Sequence, residues 1–407
     1  MNLKKQGFFL CVYEALRGFR IAGAIWVVLL LGRGFSLAEV GAAEGVFHTV
    51  SFLCEVPSGM LADLMGRRRT LVCSGLVNAL AGIIMALSTN WPGICLAMGL
   101  EAFGFNLASG TLEAISYDSL VQAGDPADFV KWDSRQYTVY SVFQALASLA
   151  SFITVRIGFR GAYLAAAAIG VCASLAAGQL TEPVATQAQA RRTRIPLRQW
   201  PRKLWDHTLL NFHFLLEHRR LAAKMLCISL VAAAGYLMQM FWQQHLVEEG
   251  LPAAWVGTPL FFLMLMDVVG AMLARKLPGR LRTIFLWLGL PVAACTALAG
   301  LPGLLPSLLF AGCSSLLDSA FLVRASSLMQ PFYPSDSRAT LTSVDNMMYS
   351  MCMVPLSPLA GLAADRLGTG LCLGLVGLGL ALAILCAVLL QRKQAFSPLN
   401  KKRFGSE

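Results

Sequence analysis

The chain has 407 residues, of which 57% are hydrophobic and only 14% charged, with a mean hydropathy of +0.63. Soluble domains carry roughly 25% charge, so a water-soluble globule is excluded. The net charge of +11 would suggest nucleic acid, but the basic residues follow a membrane topology instead.

The N-terminus places Lys4 and Lys5 before an apolar run, as a signal peptide would. Glu14, Arg17 and Arg20 interrupt that run and no small-residue cleavage site follows, so the first span is expected to be retained. Its uninterrupted apolar core, Ile21 to Gly32, is about 18 Å long at ~1.5 Å per residue. Arg17 and Arg20 are therefore expected to snorkel to the nearer headgroups, with no functional role. Further apolar segments give twelve in all, centred near residues 25, 50, 79, 106, 144, 170, 234, 263, 291, 316, 351 and 380. None alternates like a barrel strand, so helices are expected. With both termini cytoplasmic, only Arg33, Arg156, Arg160 and Arg366 of the 33 Lys and Arg fall on the other side. That bias is the positive-inside signature, and it predicts an integral protein of the plasma membrane, or of the inner membrane if bacterial.

Residues 181–220 depart from membrane composition. Six basic residues between Arg191 and Lys203 precede LWDHTLLNFHFLLEH at 204 to 218, which predicts an amphipathic helix on the cytoplasmic surface beside anionic lipid. The expected organisation is a six-helix bundle over 1–180, this linker over 181–220, and a second six-helix bundle over 221–407.

The two halves repeat each other. EVPSGMLA at 55 to 62 aligns with DVVGAMLA at 267 to 274, and GRRRT at 66 to 70 with GRLRT at 279 to 283. SGTLEA at 109 to 114 answers SSLLDS at 314 to 319. Asp133-Ser134-Arg135 recurs as Asp336-Ser337-Arg338, and Arg156-Ile157-Gly158 as Arg366-Leu367-Gly368. An ordered series of matches that includes charged residues predicts two pseudo-symmetric bundles related by an axis along the membrane normal.

GMLADLMGRRRT at 59 to 70 sits between the second and third spans. Gly59, Leu61, Ala62, Asp63, Gly66, Arg67 and Arg68 fit the pattern G, x, L, A, D, x, x, G, R, [RK], x of that loop in the major facilitator superfamily, which the chain resembles throughout. The resemblance implies alternating access: two bundles rock about a midplane substrate site lined by the first and fourth helices of each half. It makes Gly59, Asp63, Gly66, Arg67 and Arg68 a gating loop, with Asp63 aimed at the start of the eleventh span. Physically, the glycines permit a tight turn and close approach, and a carboxylate is stabilised at a helix N-terminus. The second copy carries Arg275 in place of the aspartate. Two family features are missing: a Gly-Pro motif in the fifth span (137–155) and an arginine in the middle of the fourth (93–117).

Intramembrane carboxylates are costly and mark functional positions. Glu55 and Asp267 are repeat equivalents, as are Glu113 and Asp318, and these four are the expected proton-coupling candidates; local pairing or helix capping is the competing reading. Asp118 and Arg324, at symmetric cytoplasmic positions, are expected to pair across the bundles when that side closes, with Asp336, Arg338 and Asp345 as further gate residues. Trp26, Asn106, Tyr140 and Gln144, Gln239 and Gln243 are the expected substrate contacts, each of the last two pairs sharing a helix face at four-residue spacing. Helix-to-helix hydrogen bonding is the alternative for each.

Eleven single cysteines and five scattered histidines form no metal or nucleophile constellation. No cofactor, metal or enzymatic activity is expected. The leading reading is a monomeric secondary transporter exporting a small organic solute by proton antiport, because the span faces read as apolar, aromatic and Met-rich. Uptake of a polar metabolite by proton symport or uniport is the alternative; charged residues at the midplane would favour it. A non-transporting sensor or assembly factor on the same fold is the reading from a different class.

Overall fold

The computed structural model describes residues 2–183, 219–277, 279–329 and 338–395. The predicted amphipathic segment at 204–218 and Asp336 lie outside the described residues, as does the Arg338 side chain. Within them the chain is a sequence of helices. Before the linker come α1 (Leu3–Gly18), α2 (Trp26–Leu31), α3 (Leu37–Met65), α4 (Arg67–Leu87), α5 (Trp91–Ala123), α6 (Phe129–Leu149) and α7 (Ser151–Gly178). After it come α8 (Arg219–Glu248), α9 (Gly257–Leu273), α10 (Leu281–Ile284), α11 (Leu290–Leu298), α12 (Leu304–Met329), α13 (Arg338–Leu367) and α14 (Thr369–Ala395). A π-turn over Phe285–Gly289 joins α10 to α11 into one traverse.

Nine of these helices or joined pairs, among the described residues, are long and apolar enough to cross a membrane. The other three traverses are α1 with α2, α3, and α6, and each carries charge within its length: Glu14 and Arg17, then Glu39, Glu44, Glu55 and Asp63, then Lys131, Asp133 and Arg135. Glu14, Arg17 and Glu44 of these traverses meet the central cavity or pair beside it, and Lys131, Asp133 and Arg135 lie exposed at the start of α6.

Local chemistry sets the helix ends. Ser36 and Glu39 form a reciprocal capping box on α3: Ser36 Oγ accepts from the Glu39 amide at 3.1 Å, and Glu39 accepts from the Ser36 amide at 2.9 Å. Asn90 caps α5 by accepting from Gly93 N at 3.0 Å. Gly66, at φ +87°, closes α3 and allows the immediate turn into α4.

The first traverse corrects the expectation for Arg17 and Arg20. The helix does not begin at Ile21: it begins at Leu3, runs to Gly18, and breaks over residues 19–22 before a short 3-10 turn, Gly23–Ile25, leads into α2. Arg17 and Arg20 therefore lie some 14 to 17 residues into the traverse, roughly 20 Å or more from its start at ~1.5 Å per residue, and not at a membrane edge. Gly18, at the end of α1, lets α6 pack close to the break: a Cβ there would stand 2.3 Å from the Tyr140 carbonyl oxygen of α6.

The start of α1 meets the end of α7 through Gln6 and Thr181, and the face they mark is here the linker side; the other is the far side. Helices within the first half pack through small residues, as expected where lipid gives no hydrophobic drive to helix pairing. A Cβ at Gly75 of α4 would lie 2.7 Å from the Gly170 carbonyl oxygen of α7, and one at Gly170 would lie 2.9 Å from the Gly75 carbonyl oxygen. Ser174 Oγ closes the same contact by donating to Val72 O at 2.8 Å.

Gly170→Leu should accordingly cost about 1–3 kcal/mol by overpacking. Gly110→Ala, where a Cβ meets nothing within 4 Å, should stay within about 0.5 kcal/mol. Melting in detergent compares the two; equal melting temperatures would contradict the packing described.

Candidate substrate cavity and gates

Two adjoining cavities occupy the middle of the protein. The larger spans about 1260 Å³, open solvent included, mostly within the first half, and its wall runs from Tyr13 and Ala108 on the linker side to Met85 and Met98 toward the far side. The smaller, about 710 Å³, lies on the seam and is lined by Gln144 and Ser148 of α6, Gln239 and Gln243 of α8, and Leu260 and Met264 of α9. Arg20, Gly23, Trp26 and Tyr236 line both. The break between α1 and α2 is what brings Arg20 to this junction.

The Arg20 guanidinium pairs with the Glu101 carboxylate of α5. Both face the cavity, with side chains 44% and 28% exposed, so the pair is open to whatever fills that space. Arg17 is held by Glu14 at 3.0 Å and stacks its guanidinium 4.7 Å from the centre of the Tyr140 ring. Glu44 of α3, 3% exposed, also lines the large cavity. Its carboxylate lies 3.2 Å from His48 Nε2, at an angle too poor for a hydrogen bond. Neither His48 nitrogen has a hydrogen-bond partner among the described residues. Tyr236 of α8 shares the cavity wall with Glu44, its ring 6.3 Å from the His48 ring, and the Tyr349 ring of α13 meets the His48 ring edge-on at 5.3 Å. Groups from both halves thus converge on a guanidinium, two carboxylates and an imidazole.

The structure brings Trp26, Tyr140, Gln144, Gln239 and Gln243 to these cavities. Asn106 is a correction. It is buried between α5 and α3, accepting from Ser51 Oγ at 2.9 Å and donating to Ser51 O at 2.6 Å, so its amide joins two helices and does not line the cavity. Sequence reasoning missed Glu44, His48 and Glu101, and assigned Arg17 and Arg20 no role. The usable signal was three-residue spacing, Glu14, Arg17, Arg20, inside an apolar run, together with Glu44 and His48 at i, i+4 on a span.

None of Glu55, Glu113, Asp267 and Asp318 lines either cavity. Glu55 bridges the seam, accepting from Asn346 Nδ2 at 3.1 Å and Ser343 Oγ at 3.3 Å of α13. Glu113 is exposed on α5. Asp267 accepts from Ser315 Oγ across α9 and α12, and Asp318 faces Gly235, where a Cβ would stand 2.5 Å from its Oδ2.

On the linker side, Glu182 caps α4 by accepting from Arg67 N at 2.8 Å and Arg68 N at 2.7 Å. Arg68 reaches Gly178 O. Arg67 Nη1 pairs with Asp118 Oδ2 at 2.9 Å, so in this conformation Asp118 is engaged by its own half, while Arg324 lies beside the Gly279 turn. Asp63 sits near Arg67 and Asp118; the start of α13, toward which it was expected to point, has side chains outside the described residues. Asp345 is half-buried. Gly59 has open space around it.

The halves meet along α3 with α13, α6 with α9, α7 with residues 253–255, and α2 with α8. Among the described residues α5 and α12 form no packed pair. The far side is closed tightly: Gly257 of α9 is so near α6 that a Cβ would stand 1.8 Å from the Ser148 carbonyl oxygen, and Ser151 Oγ donates to Ala254 O at 2.8 Å. Among the described residues the far side is therefore closed by backbone contact, while α5 and α12 form no packed pair toward the linker side.

The helical traverses of the described residues, packed in two halves around a charged central cavity, have the form of a membrane transporter. The family model of the Major Facilitator Superfamily matches residues 15–354, and the chain belongs to that superfamily. It is 27% identical over 103 residues to an uncharacterized MFS-type transporter, YxaM, of Bacillus subtilis (strain 168); the match spans 25% of this chain and 26% of that relative. Among solved structures, the nucleoside transporter NupG superposes with a TM-score of 0.72 at 15% identity, covering 98% of this chain and 100% of its own. A peptide transporter, POT, in complex with sulfate gives a TM-score of 0.73 at 14% identity, covering 96% and 94%. At these identities the structural likeness establishes the fold.

A charge-assisted pair this exposed contributes about 0.2–1 kcal/mol. Arg20→Ala and Glu101→Ala should each lower stability by that order, and the double variant should lose less than the sum. A thermal double-variant cycle with no coupling would contradict the pairing.

Proposed function

We propose that this protein is a proton-coupled secondary transporter that takes up a small polar organic solute carrying an anionic group, by alternating access, with its linker side cytoplasmic in the plasma membrane. The observation that carries this reading is the Arg20 guanidinium held at the junction of the two cavities by Glu101. A charge at that depth is retained only with a partner or a task. An incoming anionic group competes with Glu101 for Arg20, and a proton on Glu101 releases the guanidinium to it. Substrate and proton then favour each other's binding, which is the thermodynamic requirement for symport.

Export was favoured by an apolar wall. Arg17, Arg20, Glu44, Glu101 and Asn78 on the large cavity weigh toward the polar-solute alternative. The amides of Gln144, Gln239 and Gln243 and the indole of Trp26 supply hydrogen bonds and a stacking surface for the rest of such a solute. The aromatic and methionine share of the wall, Phe47, Phe105, Met85 and Met98, supports a second reading, proton-driven export of an amphipathic anion.

Proteoliposomes with an imposed pH gradient, screened against nucleosides, short peptides, organic acids and amphipathic anions, test the proposal. Accumulation of an anionic or zwitterionic solute is expected. Arg20→Ala should abolish it, whereas Glu101→Gln should keep solute exchange and lose pH-driven accumulation. Equal accumulation by wild type and Arg20→Ala would sink the reading.

A further inference from the structure

The gating-loop pattern occurs a second time in a place the half-to-half repeat does not predict. Gly59, Ala62, Asp63 and Gly66 end α3 with the spacing G, x, x, A, D, x, x, G, and Gly361, Ala364, Asp365 and Gly368 end α13 with the same spacing. The local geometry matches too. Gly66 and Gly368 both close their helices at φ +87°, and their amides donate to Ala62 O at 3.1 Å and Ala364 O at 3.0 Å. Because α3 and α13 run antiparallel along the seam, each helix ends beside the beginning of the other. One copy lies at the linker side and the other at the far side.

The far-side copy is engaged. Asp365 Oδ1 accepts from Leu37 N and Oδ2 from Ala38 N, each at 2.8 Å. A carboxylate of the second half thereby satisfies two of the free amides that open a helix of the first half, where the helix dipole also favours it. Small residues bring the backbones together behind this contact. A Cβ at Gly361 would stand 2.4 Å from Leu37 O, and one at Gly41 would stand 2.3 Å from Ser357 O. A side chain added at either position forces the seam apart.

We propose that Asp365 is the far-side latch of the transport cycle, holding the far side shut through α3, and that it acts in opposition to Asp63 at the linker side. This rests on the alternating-access reading. Opening the far side requires the two amide bonds to Asp365 to break and α3 to separate from α13. Since the halves move as bodies, the second far-side seam, between α6 and α9 near Ser148 and Gly257, must part in the same event.

Hydrogen–deuterium exchange of the full-length protein in nanodiscs, without any solute, tests this. Asp365→Asn should raise exchange at residues 36–47 and also at 253–263, by roughly tenfold, the factor that about 1.4 kcal/mol of lost closing free energy produces. Asp63→Asn should not raise it at 253–263. A rise confined to the first turn of α3, with 253–263 unchanged, would make Asp365 a local helix cap and overturn the latch. If Asp365→Asn does not fold, Gly361→Ala, which leaves the carboxylate in place, must give the same rise at 253–263, and no rise there overturns the proposal equally. A protein that shows this exchange pattern but moves no solute would refute the transport reading and leave the latch standing.

Discussion

A guanidinium in the middle of a membrane protein must have a partner, and the pairing of Arg20 with Glu101 constrains much of the rest. Hydrocarbon penalises the charge by several kcal/mol at least, so the residue needs a water-accessible cavity and an anion. The chain supplies the cavity by breaking its first traverse after Gly18, which turns residues 19–22 into the space between α5, α6 and α8. It supplies the anion from α5. Part of the polar character of α3 follows from the same geometry, because Glu44 lines the cavity and Glu55 the seam.

Closure between the halves depends on backbone approach more than on side-chain burial. Gly41, Gly257 and Gly361 each admit a carbonyl of the opposite half at a distance no Cβ would tolerate. Contacts of this kind are strong in one register and absent in any other, which suits an interface that must exist in two discrete arrangements. Side chains then bias the choice. Glu55 reaches Ser343 and Asn346, and Asp365 reaches the start of α3, all across the same pair of helices.

Much of this was legible in the sequence and some was not, for identifiable reasons. The helical class followed from composition and hydropathy. Tyr140 and Gln144, and Gln239 and Gln243, were placed at the cavities by four-residue spacing of polar groups on a span, and Trp26 by its place on the first span. Asn106 was chosen only as a polar side chain within a span, yet its partner is Ser51, and a single sequence does not reveal which neighbouring helix an amide will meet. Arg17 and Arg20 were misplaced because the apolar run after residue 20 reads as the start of a span, whereas the helix begins at Leu3 and carries its charges inward. Glu44, His48 and Glu101 have no charged equivalent in the other half, so a search guided by repeat symmetry passes over them. The far-side copy of the loop pattern was obscured for a related reason: it relates α3 to α13 at opposite membrane faces, whereas the internal repeat relates α3 to α9 at the same face.

The central claim is that one charged cavity is reached from one face of the membrane at a time. Phe105 lies on its wall, 42% exposed. The most direct measurement is labelling of Phe105→Cys by a membrane-impermeant maleimide added to either face, with the native cysteines as background. The account predicts labelling from the linker side in the resting protein and from the far side only when Asp365→Asn is also present. Labelling from both faces in the resting protein, or from the far side alone, would contradict it.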